Sequence, residues 1–83
     1  MTQQELFRPR PSPDKLFSQG SQSYRIYEQL LRGELTNVEI VRGMGVYNST
    51  GRISDIRKVL KPYLLDIEAT RVNKGLFKYT LKG

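Results

Sequence analysis

Cysteine and histidine are both absent from the chain. Without cysteine, the protein can form neither a disulfide framework nor a thiolate metal site. Without histidine, it can form neither a zinc finger nor an active site based on histidine. The acidic residues are scattered along the sequence and are not paired, so the remaining residue types do not assemble a catalytic set. We therefore predict a protein that is not an enzyme and that carries no metal or other cofactor.

Long apolar runs are also absent. No segment approaches the roughly 20 apolar residues that span a bilayer. The first residues include Glu5 and no hydrophobic segment, which is not the pattern of a signal peptide. We therefore expect a soluble protein of the cytoplasm with no membrane contact. Its 83 residues, of which 37% are hydrophobic, allow one small domain with a modest core.

Positive charge is in excess. The chain has 14 Lys and Arg residues against 8 Asp and Glu residues, which gives a net charge of +6 and a sequence pI near 9.9. This excess favours a polyanionic partner such as a nucleic acid. Because basicity alone is weak evidence, the motifs must identify the partner.

Residues 36–60 have the pattern of two short helices joined by a turn that contains glycine. Thr36 and Glu39 form a capping box that marks the start of the first helix. After about two turns, a glycine in the left-handed region, at Gly43 or Gly45, is expected to end it. This arrangement is typical of a helix-turn-helix, and it points to DNA.

The second helix is predicted to begin at Asn48 or Ser49, either of which can act as the N-cap. Ile53, Ile56 and Leu60 recur at spacings of three and four and are expected to face the core. The opposite face and the first turn are rich in hydrogen-bond donors and can enter a major groove. The residues predicted to contact DNA there are Asn48, Ser49, Thr50, Arg52, Ser54 and Lys58.

Some of these residues have a second interpretation. Arg52 can grip guanine O6 and N7 with two hydrogen bonds or contact a phosphate, but it can also pair with Asp55 as an intrahelical ion pair. Asp55 itself repels phosphates unless it orients the arginine or accepts a hydrogen bond from cytosine. Ser49 and Thr50 can contact DNA or do no more than cap the helix.

A packing helix and a β-hairpin flank this motif. The helix is predicted to run from Ser21 or Ser23 to Arg32, with its tyrosines and leucines at core positions. After Pro62, residues 65–72 and 76–81 read as two strands of a hairpin. Alternation predicts an apolar hairpin face made of Leu65, Ile67, Ala69, Phe77, Tyr79 and Leu81.

The tip of this hairpin is a second candidate DNA contact. Arg71, Asn73 and Lys74 lie close together there, so the tip can press against a phosphate backbone or reach into a minor groove. A solvated turn without a ligand is the alternative.

The element order is therefore helix, helix, turn, helix and hairpin, which predicts an α+β winged helix-turn-helix with the hairpin as its wing. From about Ser21 to Leu81 the chain resembles the small winged helix-turn-helix domains of bacteriophage and prophage proteins, in the runs GRISDIRKVL and DIEATRVNKGLFKYTL. The resemblance implies that Arg52 starts the recognition helix as a base or backbone contact. It also implies that Arg57 supports the helix or contacts a phosphate. Such domains often have a glycine before the first hairpin strand, where this chain has Lys61-Pro62-Tyr63.

Residues 1–20 differ in composition from the domain predicted at residues 21–83. Three prolines punctuate this polar stretch, which contains two Leu-Phe pairs, and we predict a flexible N-terminal arm. Arg8 and Arg10 can lie along a DNA backbone or in a minor groove, and the Leu-Phe pairs can dock onto the domain or a partner. A solvated tail is the alternative.

The function predicted from these features is sequence-specific binding of double-stranded DNA. The protein would act as a transcriptional repressor or activator, or as an accessory factor in phage excision or replication. Because one small winged helix covers few base pairs, we expect a homodimer or a cooperative assembly on DNA. The alternative is a protein-interaction module that binds a host protein through the N-terminal arm or an apolar surface.

Overall fold

Helices cover one face of a three-stranded antiparallel sheet in the computed structural model, which describes residues 10–83. The elements in chain order are helix α1 (Pro13–Leu16), helix α2 (Gln22–Arg32), strand β1 (Leu35–Thr36), a π-helix (Glu39–Gly43), helix α3 (Ser49–Leu60), a 3-10 turn (Lys61–Tyr63), strand β2 (Asp66–Asn73) and strand β3 (Leu76–Lys82). The predicted α+β class is confirmed. No helix within residues 10–83 is long and apolar enough to cross a membrane.

The two longer helices begin where the sequence predicts. Ser21 caps α2, since its Oγ accepts a hydrogen bond from the Tyr24 N–H at 3.1 Å. Asn48 caps α3, since its Oδ1 accepts from the Gly51 N–H at 3.1 Å. A Cβ atom at Gly51 would lie 2.8 Å from both Cγ and Oδ1 of Asn48, so the cap closes because residue 51 is a glycine.

The first helix of the predicted helix-turn-helix is present but wound differently. Its capping box is confirmed: the Thr36 N–H donates to Glu39 Oε1 at 2.8 Å, and the Glu39 N–H donates to Thr36 Oγ1 at 3.1 Å. Residues Glu39–Gly43 form a π-helix where an α-helix was expected. β-branched residues and a glycine favour α-helical winding only weakly in this segment. The helix gives way to a turn at Gly45, which has a φ of +70°.

The hairpin is confirmed, and a third strand joins it. β2 and β3 pair antiparallel around the two-residue turn Lys74-Gly75, where Gly75 has a φ of +75°. β1 pairs with β3, so the strand order is β1-β3-β2 and the two-stranded sheet expected from the sequence is incomplete. β1 has only two residues, which is too short for the alternation that reveals a strand.

The core lies between the inner face of the sheet and the helices. Among residues 10–83, thirteen hydrophobic side chains are buried, and these are Ile26, Tyr27, Leu30, Leu35, Ile40, Val46, Ile53, Ile56, Leu60, Leu65, Ile67, Tyr79 and Leu81. The predicted core positions of α3 are all among them. On the hairpin, however, Ala69 and Phe77 are exposed. These two positions lie toward the tip of the hairpin, where they border an open groove.

The connection from α3 to β2 ends in a left-handed leucine. The Leu65 N–H donates to the Leu60 carbonyl at 3.3 Å, and the Leu64 N–H donates to the Lys61 carbonyl at 3.0 Å. This pair of hydrogen bonds is a Schellman motif, in which the left-handed position usually holds glycine. Leu64 occupies it here with a φ of 60°. Leu64 therefore makes this reversal at a position that usually holds glycine, and its backbone is strained.

Leu64→Gly should raise the free energy of unfolding by about 0.5 to 1 kcal/mol, because glycine adopts the left-handed region without a Cβ penalty. The leucine side chain is 65% exposed, so little packing is lost. Denaturant unfolding measures the change. Leu64→Ala keeps the Cβ atom and should not be stabilised, and a glycine variant less stable than the alanine variant would contradict the strain.

The second half of the predicted flexible arm packs onto the domain. Leu16 and Phe17 contact the core, and the Phe17 ring centre lies 5.6 Å from that of Tyr27. The Tyr27 hydroxyl donates to the Pro11 carbonyl at 2.8 Å, and burial raises the pKa of this phenol, so it stays a donor. Residues 10–20 are thus ordered on the core, because an apolar pair and a buried hydroxyl both gain partners there. Residues 1–9 lie outside the described part of the chain.

Phe17→Ala should lower the free energy of unfolding by about 1 to 2 kcal/mol, less than a fully buried phenylalanine would, because the ring is only half-buried. Thermal unfolding followed by circular dichroism provides the measurement. Ser18→Ala, at an exposed neighbouring position, is the control. Equal melting temperatures for the two variants would show that the segment adds nothing to the core.

Candidate nucleic-acid interface

Helix α3 presents a polar face to solvent because its apolar residues all point the other way. Ile53, Ile56 and Leu60 are buried against the core. The side chains on the opposite face are exposed, and these are Thr50, Ser54, Asp55 and Lys58. Two hydroxyls, a carboxylate and an ammonium can all hydrogen-bond to base edges or, apart from the carboxylate, to phosphates.

The start of α3 contains one candidate that the sequence analysis did not single out. Tyr47 is 86% exposed and directly precedes the Asn48 cap. The side-chain oxygen of Asn48 is engaged in that cap, and Ser49 is half-buried. The side chain of Tyr47 is exposed and is therefore accessible to a ligand. A large aromatic residue outside the apolar periodicity, next to a predicted N-cap, is the signal that was available in the sequence.

Arg52 forms the predicted ion pair with Asp55. Its Nη1 atom lies 3.3 Å from Asp55 Oδ2, and the two side chains are 39% and 53% exposed. Arg52 Nε is sequestered from solvent and has no hydrogen-bond partner among residues 10–83. The root of the guanidinium group is therefore enclosed, while its outer end is held at the surface by the carboxylate. An exposed pair of this kind contributes little stability.

Arg57 connects α3 to the hairpin. Its Nε and Nη2 atoms donate to the Ile67 carbonyl at 3.1 and 2.7 Å, and Nε lies 3.6 Å from Asp66 Oδ1. Of the two roles that the resemblance implies, the structure shows the supporting one. The two hydrogen bonds fix the orientation of α3 relative to β2.

A groove of about 400 Å³ separates α3 from the hairpin. The helix side carries the hydroxyls of Thr50 and Ser54, the side chain of Ile53 and the guanidinium of Arg57, which is already bonded to the Ile67 carbonyl. The hairpin side is apolar, formed by Ala69, Phe77 and Tyr79. A ligand in this groove would meet hydrogen-bond donors on one wall and an apolar surface on the other.

The hairpin tip, defined as Asn73, Lys74 and Gly75, is clamped to the start of the π-helix. Asn37 Nδ2 donates to the Gly75 carbonyl at 3.0 Å, and the Phe77 N–H donates to Asn37 Oδ1 at 2.9 Å. Asn73 Oδ1 accepts from the Lys74 N–H at 3.1 Å, so this side chain stabilises the turn itself. Lys74 remains exposed at the end of the tip.

Ion pairing differs between the surfaces of the domain. On the outer face of the sheet, Lys78 pairs with Glu34 at 3.3 Å and Lys82 pairs with Glu68 at 3.0 Å. Within residues 10–83, nine cations have no carboxylate oxygen within 4.0 Å, and these are Arg10, Lys15, Arg25, Arg32, Arg42, Lys58, Lys61, Arg71 and Lys74. Unpaired positive charge is therefore spread over the domain, and Lys58, Arg71 and Lys74 are the part of it that lies on α3 and on the tip half of the hairpin.

Arg10, the predicted arm residue that the structure describes, does not join this surface. Arg10 Nη2 makes a long contact of 3.5 Å with the Leu81 carbonyl near the end of β3. Leu81 is six residues along the strand from Gly75, or about 20 Å from the tip. Arg8 lies outside the described residues.

Arg57→Ala should lower the free energy of unfolding by about 1 kcal/mol, because the carbonyl of the buried residue Ile67 loses both of its side-chain donors. Lys58→Ala, one residue along the same helix, removes an equal charge that has no carboxylate partner among residues 10–83 and is the control. Urea unfolding of both variants measures the difference. If Lys58→Ala proved as destabilising as Arg57→Ala, the anchoring role of Arg57 would be wrong.

Comparison of the chain with protein-family models, with curated proteins and with solved structures gives no match. The function therefore has to be argued from the residues of this surface: the polar face of α3, the groove beside it and the cations of the hairpin.

Proposed function

We propose that the protein is a winged helix-turn-helix module that binds double-stranded DNA in a sequence-specific manner. The order α2, β1, π-helix, α3 and hairpin, with β1 paired to β3, supports this architecture. In the proposed complex, α3 is the recognition helix and enters the major groove. The hairpin is the wing and lies on the backbone or in the minor groove.

The observation that carries this proposal is the arrangement of α3 and the hairpin as two walls of one groove. Each of these two elements also carries a cation without a carboxylate partner among residues 10–83. α3 has 12 residues and is therefore about 18 Å long, and its polar face can be accommodated by a major groove about 12 Å wide. Lys58, Arg71 and Lys74 can displace counterions from phosphates on either side of it. Thr50 and Ser54 supply hydroxyls between them.

The proposed role involves no chemistry by the protein itself. A small transcriptional regulator, or an accessory factor that assembles with other proteins on DNA, needs only selective binding. One domain of this size contacts few base pairs, so two copies on adjacent half-sites would supply the remaining specificity. The homodimer and the cooperative assembly are both part of the proposal.

Lys74→Ala should weaken binding to any duplex and lower the salt slope of the logarithm of the binding constant by about one, because one phosphate contact is lost. Titration of random-sequence duplex at roughly 50 and 200 mM salt tests this. Lys82→Ala is the matched control, since Lys82 is paired with Glu68 on the outer face of the sheet. Equal effects of the two substitutions would place the hairpin tip off the DNA.

Arg52→Ala separates base contact from backbone contact. It should cost on the order of 1 to 3 kcal/mol on a selected site and much less on random duplex. An equal loss on both would make Arg52 a phosphate contact.

A second candidate function, protein interaction, is favoured by one observation. Tyr63 and Leu64 are adjacent and are 45% and 65% exposed, so they form an exposed apolar patch beside the end of α3. Leu16 and Phe17, by contrast, pack against the core and are not available as a docking arm. Absence of duplex binding even at roughly 50 mM salt would favour this candidate, because contacts to phosphates are strongest at low salt.

A further inference from the structure

The polar face of α3 contains a charge of the wrong sign for a surface that binds a polyanion. Asp55 is the one carboxylate in the sequence of this helix, and it lies on the exposed face between Ser54 and Lys58. A carboxylate at that position repels phosphates and lowers the affinity for every duplex alike. It can be useful there only if it discriminates between sequences.

We propose that Asp55 is a specificity-determining residue that reads DNA together with Arg52, an inference that rests on the proposed function. Asp55 Oδ2 holds Arg52 Nη1 at 3.3 Å. Within residues 10–83, Arg52 Nη2 and Asp55 Oδ1 have no hydrogen-bond partner. The pair therefore presents a donor and an acceptor side by side at the surface of the recognition helix.

The chemistry of this pair selects its bases. The guanidinium donates, so it fits the O6 and N7 acceptors of guanine. Asp55 Oδ1 only accepts, so it requires an exocyclic amino group, which is N4 of cytosine or N6 of adenine. Thymine O4 at the same place would set one acceptor against another. The unit thus reads a guanine beside a base that bears an amino group in the major groove.

The position of Arg52 Nε supports a reading role over a loose surface pair. This atom is sequestered from solvent, so the side chain is held at its root by packing and at its end by Asp55. A guanidinium restrained at both ends loses less conformational entropy when it binds a base. The restraint also sets which base pair it can reach.

Asp55→Asn tests the inference, with Glu68→Gln as control. Each substitution removes one negative charge and keeps the size of the side chain, but Glu68 is paired with Lys82 on the outer face of the sheet. Sites are selected from a randomised duplex pool with each protein, and their affinities are then measured by titration. Asp55→Asn should relax the preference at one base pair by about ten-fold. Its affinity for random duplex should be equal to that of wild type or higher, because a like charge is removed. Glu68→Gln should select the wild-type site.

Two results would overturn the inference. Selection of the same site by Asp55→Asn, with an unchanged ratio of specific to random affinity, would show that the carboxylate reads nothing. A uniform loss of binding together with a lower melting temperature would assign it a structural role. Failure of the proposed function looks different, because the wild-type protein itself would then bind no duplex at low salt.

Discussion

The two hydrogen bonds from Arg57 to the Ile67 carbonyl fix the separation of α3 from the hairpin, and the geometry of the candidate interface depends on them. Arg57 lines the groove and connects its helix wall to β2. Asn37 clamps the hairpin at its tip. α3 and the hairpin tip are thus each tied to a neighbouring element by a pair of side-chain to backbone hydrogen bonds.

The two arginines of α3 illustrate how one residue type takes opposite roles within a short helix. Arg57 turns toward β2, where it donates to the Ile67 carbonyl and pairs with the Asp66 carboxylate. Arg52 lies on the other flank, and its hydrogen-bond partner within residues 10–83 is Asp55 on the same helix. Arg57 stabilises the fold and has few hydrogen-bond donors left for a ligand. Arg52 is held in place by Asp55 and keeps donors that a ligand could use. Among the cations of the helix, Arg52 and Lys58 keep hydrogen-bond donors that could meet a ligand.

Much of the fold could be predicted because its signals are local. Capping by Thr36, Glu39 and Asn48, the periodic isoleucines of α3 and the glycine of the hairpin turn depend only on neighbours in sequence. β1 and the clamp of Asn37 could not be predicted, because they depend on pairing with residues about 40 positions away. The packing of residues 10–20 could not be predicted for the same reason, since the Pro11 carbonyl bonds to a tyrosine 16 residues further along the chain. At the candidate site, the sequence showed which residue types are present. The tertiary structure was needed to show which of them support the fold and which face solvent.

The Arg57 anchor has a second effect, on how the protein behaves beside other copies of itself. β2 is the edge strand of the sheet, and an exposed edge invites pairing with a foreign strand. At Ile67 both edge-facing groups are taken, since the carbonyl accepts from Arg57 and the N–H donates to Asp66 Oδ1 at 2.7 Å. Toward the tip, an irregularity in register between Arg71 and Asn73 interrupts the regular edge. The side chains that hold α3 in place therefore also protect the β2 edge of the sheet against edge-to-edge aggregation.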